Sequence, residues 1–224
     1  MLKVLELPYA LIIEWMCLIT SILFLRNVYP KFWRVFIPFL TLTIGVESYG
    51  YYTAIMLPKG LSNAWLYNLF LIVYVIFYTW IFSRIIPIPG IKKIVAAFLA
   101  IIGGLYFWEF NYNKGLNELF FYRTNNFFSV GVVIFCISYY FSLFRQLEYI
   151  NILEQPEFWF VSGCLIFYAT STCVNSFFSE LIKIKIIGNF RLRYFLMCFL
   201  SLIMYSCWIK SFLCFRKIQN SLPQ

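Results

Sequence analysis

The chain has 224 residues, of which 62% are apolar, 23% aromatic and only 12% charged. Soluble domains average about half apolar and about a quarter charged, so this composition indicates a membrane protein. The formal charge of +9 would suggest a nucleic-acid partner in a soluble protein. Here the basic residues lie in short segments between apolar runs, where lipid headgroups and positive-inside bias account for them. We therefore predict no nucleic-acid partner.

Seven apolar runs follow one another along the chain. Each has the roughly 17–25 residues that a helix needs to cross about 30 Å of hydrocarbon, and none shows the alternation of a β-barrel strand. The sequence predicts an all-α, polytopic seven-transmembrane-helix bundle, formed as a single integral membrane domain over residues 1–224. The predicted helices are Leu7–Leu25, Val35–Leu57, Ala64–Ile86, Ile94–Tyr112, Thr124–Phe144, Glu157–Leu181 and Tyr194–Phe215.

The distribution of Lys and Arg predicts the orientation. Ten basic residues fall on one side of the predicted bundle and eight on the other, which places the N-terminus out and the C-terminus in. The first hairpin agrees, because three basic residues follow the first helix and only Lys3 precedes it. The basic loop 183–193 favours the opposite orientation. The first run is too long for a cleavable signal and carries Glu14, so we expect it to be retained.

The residue types that the chain lacks exclude most catalytic classes. It contains no histidine, and all nine acidic residues are glutamates. Serine–histidine catalysis, imidazole-held zinc or haem, aspartyl dyads and Asp-rich magnesium sites are therefore excluded. The seven cysteines lie within apolar runs without a CxxC pair, which is typical of small packing residues. We predict no enzymatic activity, no cofactor and no metal.

Two acids lie inside apolar runs, Glu14 near the centre of the first predicted helix and Glu47 near the centre of the second. An ionised acid at the bilayer centre costs several kcal/mol, so each side chain must face protein or water, or be protonated. Thr43, Gly50 and Tyr51 share the helix face of Glu47. The glycine would let another helix approach, and the Tyr51 hydroxyl would offer a hydrogen bond.

Further polar residues fall at one level in the outer half of the predicted bundle. They suggest an outward-facing polar ligand pocket with aromatic walls. The alternative is that they join helices through interhelical hydrogen bonds, and that Glu109 reaches the membrane interface. The candidate ligand-binding residues are Glu14, Glu47, Tyr51, Asn68, Glu109, Asn126, Asn175 and Tyr205.

Residues near the predicted helix ends fit the membrane interface. Trp33 and Trp159 are predicted interfacial anchors. Lys210 lies six residues before Arg216, so its stem can reach the headgroups. A retinal-type attachment at this lysine is disfavoured because the third helix carries no carboxylate. The amphipathic stretch "FRQLEYINILEQ" is either a short interfacial helix or an ordinary connector.

Three stretches carry a family resemblance: "SNAWLYNLFLIVYVIFYTWIFSRII" (Ser62–Ile86), "LEQPEFWFVSGCLIFYATSTCVNSFF" (Leu153–Phe178) and "LSLIMYSCWIKSFLC" (Leu200–Cys214). Together with Glu47, they resemble an uncharacterised group of small seven-transmembrane-helix proteins of Bacteroidetes-type bacteria. The layout is also similar to the seven-helix input modules of bacterial signalling kinases. The resemblance implies a multi-pass protein of the bacterial inner membrane. We expect nothing to be fused after the last helix, so a signalling role would require a separate cytoplasmic partner.

The polar set and the missing catalytic residues favour a ligand-sensing or ligand-binding module in the lipid bilayer. A small-solute or proton-coupled transporter, or an oligomeric pore, is the alternative, since Glu14 and Glu47 are of the type that relays protons or lines ion paths. An accessory subunit of a membrane complex remains open, as do a homo-oligomer and a lipid-directed enzyme using these two glutamates.

Overall fold

The computed structural model describes residues 9–26, 28, 30–56, 63–117, 119–145, 151–177, 181, 183–187 and 190–221. Seven α-helices lie within these ranges. They are α1 (Tyr9–Leu25), α2 (Phe36–Met56), α3 (Ala64–Ile85), α4 (Ile91–Tyr112), α5 (Tyr122–Phe144), α6 (Pro156–Ser176) and α7 (Leu192–Ser221). Two 3-10 helices, Lys31–Val35 and Ile152–Glu154, and an antiparallel pair, β1 (Lys185–Ile187) with β2 (Phe190–Arg191), complete the described elements.

All seven predicted helical segments are helical, and the differences lie at their ends. Helix α6 ends at Ser176, before the predicted Leu181, and α7 continues to Ser221, past the predicted Phe215. The predicted start at Leu7 and the predicted end at Leu57 lie outside the described residues. Residues 146–150 of the amphipathic stretch also lie outside the described residues, and the described remainder contains the 3-10 turn Ile152–Glu154.

Within the described residues, five helices are long and apolar enough to cross a membrane: α3, α4, α5, α6 and the Leu192–Phe215 part of α7. This fits a membrane protein. The apolar part of α1, Leu11–Leu25, is shorter than these. Helix α2 is not among the five; it carries Glu47 together with tyrosines and glycines, which lower its hydropathy. The count of seven spans and the orientation of the termini stay predictions.

The chain divides into two compact units. The first unit consists of Met1–Ile44 and Asn151–Gln224, and the second of Gly45–Ile150. Helix α2 therefore contributes its first residues to one unit and its remaining residues to the other. The grouping of all residues into a single domain stays a prediction.

An aromatic cluster fills the first unit, where α7 packs against α1 and α6. Trp33 is fully buried, stacked on Phe36 at 5.2 Å and edge-to-face with Phe160 and Phe215 at 6.0 and 4.9 Å. Trp208 of α7 closes the cluster against Phe36 at 5.3 Å. The assignment of Trp33 to the membrane interface is therefore wrong, because its ring lies in the core.

The close packing of α6 on α7 depends on Gly163. A Cβ placed on this glycine would lie 2.9 Å from Cys207 Cβ and 3.0 Å from the Met204 carbonyl oxygen. The obstruction includes backbone, so it cannot be relieved by a side-chain rotation alone. Small residues at such crossings allow helices to approach without a side chain between them.

In the second unit, α3, α4 and α5 pack pairwise. Phe135 of α5 joins them, stacked on Phe82 of α3 at 5.6 Å and edge-to-face with Phe98 of α4 at 5.2 Å. Helix α4 begins after "PIPG", where Gly90 adopts a φ of +84° that L-residues rarely reach. This turn returns the chain after α3 and positions α4 beside it.

Candidate functional site

Glu47 lies in α2 and is half-buried in the second unit. The Tyr67 hydroxyl of α3 donates a long hydrogen bond of 3.5 Å to its Oε2. The Tyr67 ring lies against Gly50, where an added Cβ would overlap the hydroxyl and lie 3.0 Å from Cζ. The missing side chain of Gly50 therefore provides the space in which Tyr67 reaches Glu47.

The Glu47 carboxylate has no other hydrogen-bond partner among the described residues. Thr43, one helical turn away, is fully buried and donates instead to the Phe39 carbonyl at 2.9 Å. Tyr51 is half-buried on the same helix and makes no side-chain hydrogen bond to the part of the chain that is described. Glu47 thus keeps free acceptor capacity, since a carboxylate has about four lone-pair sites.

Asn68, next to Tyr67 on α3, is fully buried. Its Nδ2 donates to the carbonyl oxygens of Leu116 and Leu119 at 2.8 and 3.0 Å, and its Oδ1 accepts the Phe121 N–H at 3.0 Å. The Tyr106 hydroxyl donates to the Asn68 main-chain carbonyl at 3.2 Å. Both ends of the amide are engaged with the connection between α4 and α5.

Glu109, near the end of α4, is buried with 5% exposure. Its Oε1 accepts the Arg123 N–H at 3.0 Å, and its Oε2 accepts the N–H and hydroxyl of Thr124 at 2.9 and 2.6 Å. The residue before α5, Phe121, has no side-chain oxygen and makes no cap. Glu109 therefore caps α5 from another helix, satisfying N–H groups that a helix leaves open at its first turn.

Asn126 lies on the second turn of α5 and is half-buried. Its Oδ1 is enclosed and makes no hydrogen bond within the described residues. An enclosed amide oxygen without a donor loses the hydrogen bonds that it would make in water. Asn126 is thus placed near, but not joined to, the Asn68 and Glu109 hydrogen bonds at the start of this helix.

The first unit holds the remaining three candidates. Glu14 of α1 is buried with 5% exposure. Tyr205 of α7 has 3% exposure and meets Trp208 edge-to-face at 5.4 Å. Asn175, near the end of α6, accepts a hydrogen bond on its Oδ1 from Arg193 Nη2 of α7 at 3.2 Å.

The structure therefore joins some of the predicted residues and leaves others apart. Asn68 and Glu109 act on the same segment, because they bind the N–H groups of Phe121, Arg123 and Thr124. The sequence analysis missed Tyr67, the partner of Glu47. The pattern that could have indicated Tyr67 is a tyrosine directly before an asparagine within an apolar run, "WLYNLF".

Comparison with protein-family models, with curated proteins and with solved structures finds no match to this chain. The resemblance to Bacteroidetes-type seven-helix proteins therefore stays a prediction.

Proposed function

We propose that the chain is a non-enzymatic, multi-pass protein of the bacterial inner membrane that binds a small ligand at Glu47 and Tyr67 and signals its presence. The observation that carries this proposal is the contrast between two acids of the second unit. Both carboxylate oxygens of Glu109 are occupied by the start of α5, whereas Glu47 has a single long hydrogen bond from a hydroxyl. To accept a ligand, Glu47 would release only this long hydrogen bond, whereas Glu109 would have to release the start of α5.

The chemistry of this pair selects ligands that donate hydrogen bonds or carry positive charge. A half-buried carboxylate attracts a cationic group more strongly than an exposed one, because less water screens the interaction. The Tyr67 hydroxyl can accept a hydrogen bond or turn to donate one. A small organic amine combines the charge and the N–H donors that this pair accepts.

Signalling requires that ligand binding favour one of two arrangements. An amine placed between Glu47 and Tyr67 would change the α2–α3 contact, since the ring of Tyr67 is packed on Gly50 of α2. The response would pass to a separate cytoplasmic signalling partner or to a second copy of the chain.

The test is ligand-dependent stability of the full chain in lipid nanodiscs. We expect small alkylammonium ions to raise the unfolding midpoint, and the corresponding alcohols to leave it unchanged. Glu47→Gln should remove the response, and Tyr67→Phe should weaken it. An equal response of native protein and Glu47→Gln, or no response to any amine, would refute the proposal.

Glu109→Gln is the matched control, because it makes the same chemical change on another helix of the second unit. We expect it to lower the midpoint without ligand, since it disturbs the start of α5, and to retain the amine response. A loss of response in Glu109→Gln that equals the loss in Glu47→Gln would place the binding elsewhere.

A proton-coupled or small-solute transporter is the second candidate, favoured by the burial of Glu14 in α1. Acids held inside an apolar helix are the residue type from which proton relays are built. Proteoliposomes containing the full chain would then show amine-driven proton flux that Glu14→Gln abolishes. Flux that is equal in native and variant liposomes, or equal to that of empty liposomes, removes this candidate.

A further inference from the structure

Arg123 lies on the first turn of α5, with its guanidinium over two rings of α4. Its Cζ is 4.7 Å from the centroid of the Trp108 ring and 5.5 Å from that of Tyr112. The two rings are one helical turn apart and stack on each other at 5.6 Å with 24° between their planes. A planar cation over aromatic faces is held by cation–π attraction to the rings.

The backbone that carries this side chain is held by the same helix that carries the rings. Glu109, between Trp108 and Tyr112 in sequence, accepts the Arg123 N–H at 3.0 Å. The arginine therefore starts from a fixed main-chain position, and little conformational freedom remains to be lost when a ligand binds.

The charge of Arg123 has no carboxylate partner in the part of the chain that is described. The nearby carboxylate of Glu109 is engaged on both oxygens by backbone N–H groups and the Thr124 hydroxyl. Arginine has five N–H donors in one plane, and contact with rings occupies its faces and leaves its edges open. Such an edge matches two oxygens of a phosphate.

Exposed apolar side chains flank this site along both chain segments. Trp108 is 45% exposed, Tyr112 67% and Phe107, one residue before Trp108, 68%. Leu119 and Tyr122, which precede Arg123, are also exposed, at 57% and 45%. A ligand that binds here thus meets a positive charge and a broad aromatic surface together, which fits an amphiphile better than a free anion.

We propose that Arg123, Trp108 and Tyr112 form a site for the phosphate headgroup of a phospholipid of net negative charge, with its acyl chains along the exposed aromatic surface that includes Phe107. Charge complementarity selects the anionic lipid, since a zwitterionic headgroup would bring its own cation to an arginine that has no carboxylate partner among the described residues. This site is separate from Glu47 and Tyr67 and does not depend on the proposed ligand-binding function.

The test is native mass spectrometry of the full chain released from nanodiscs that contain equal amounts of phosphatidylglycerol and phosphatidylcholine. We expect the native protein to retain the anionic lipid preferentially. Arg123→Gln should lower the retained ratio by about fivefold, the factor that corresponds to about 1 kcal/mol for one basic residue at a lipid surface. Arg123→Lys should give an intermediate ratio, because an ammonium keeps the charge and loses the planar edge.

Lys114 provides the matched control. It is exposed and follows the same end of α4, and Lys114→Gln removes one charge without touching the rings. We expect the lipid ratio of this variant to stay at the native value. Equal retention of both lipids by the native protein overturns the proposal, as does a loss in Lys114→Gln that matches the loss in Arg123→Gln.

Two further measurements cover the remaining outcomes. If Arg123→Gln does not fold, Trp108→Leu is the second variant, because it removes one ring of the site and leaves the arginine. An unchanged lipid ratio in Trp108→Leu would refute the site. Added inorganic phosphate at millimolar concentration should not displace the retained lipid. Displacement by phosphate alone would show a simple anion site and overturn the lipid assignment.

Discussion

The side-chain oxygen of Asn68 accepts the backbone N–H of Phe121 at 3.0 Å, so a residue of α3 determines where α5 begins. Glu109 of α4 binds the next two available N–H groups, those of Arg123 and Thr124. Two polar side chains that the sequence places in separate apolar helices thus hold one helix start. In an apolar environment the open N–H groups of that start have no water to bind, which makes such partners necessary.

Asn68→Ala should destabilise the second unit strongly. The change leaves the Phe121 N–H and the carbonyl oxygens of Leu116 and Leu119 without their partner. A buried polar group without a hydrogen-bond partner costs about 1–3 kcal/mol, and movement of the surrounding structure offsets part of this. We therefore expect the free energy of unfolding to fall by about 2–4 kcal/mol. Reversible unfolding in mixed detergent would measure it. The exposed Asn117 is the control, and Asn117→Ala should change stability by less than about 0.5 kcal/mol.

Glu109→Gln should loosen the start of α5. In the variant, the amide NH₂ of glutamine would face one of the backbone N–H groups that Glu109 now accepts. Because both groups are donors, that hydrogen bond is lost. We expect a loss of about 1–2 kcal/mol, the usual range for a lost helix cap. Hydrogen exchange should accelerate at Arg123 and Thr124 and stay unchanged in the middle of α5. Unchanged exchange at these two amides would contradict the cap.

Gly163→Ala should weaken the contact between α6 and α7. The added methyl group meets Met204 backbone and Cys207 Cβ, and overpacking of this kind costs about 1–3 kcal/mol. Gly103 in α4 is the matched control, since an added Cβ there meets nothing within 4 Å. Gly103→Ala should leave stability unchanged or raise it by up to about 1 kcal/mol, because alanine favours the helix. Equal effects of the two substitutions would argue against the close approach.

Gly50→Ala should separate Tyr67 from Glu47. The new methyl group occupies the position of the Tyr67 hydroxyl, which can move away because it is the far end of a side chain. We therefore expect a small stability change, below about 1 kcal/mol, together with a weakened amine response like that of Tyr67→Phe. Gly45→Ala on the same helix has open space and should keep the response. A full response in Gly50→Ala would show that the Tyr67 hydroxyl is not required.

The position of each polar residue within a helix could be predicted from the sequence, because apolar runs and their lengths are local properties. The role of each side chain could not be predicted this way. Asn68 was predicted both as a ligand residue and as a link between helices, and its bonds reach 48 to 53 residues along the chain. No local pattern encodes such a separation.

The buried position of Trp33 shows the same limit. A tryptophan close to a helix end is typical of the membrane interface, and this expectation fails because Phe160 and Phe215 enclose the ring from distant parts of the chain. The strand pair β1–β2 had a local signal, since "KIIGNFR" places Gly-Asn between two short runs that include apolar residues. The predicted helix scheme nevertheless has no strand in the connection before the last helix.

The sequence by itself determined that the chain is built from long apolar helices, and that histidine and aspartate chemistry is excluded, because both follow from composition and spacing alone. Only the tertiary structure decided which polar side chains make hydrogen bonds that hold the fold, as those of Asn68 and Glu109 do. It also decided which side chain keeps acceptor capacity for a further hydrogen bond, as that of Glu47 does. The physical reason is that a hydrogen bond needs two groups within about 3 Å, and folding brings such groups together from positions far apart in the chain.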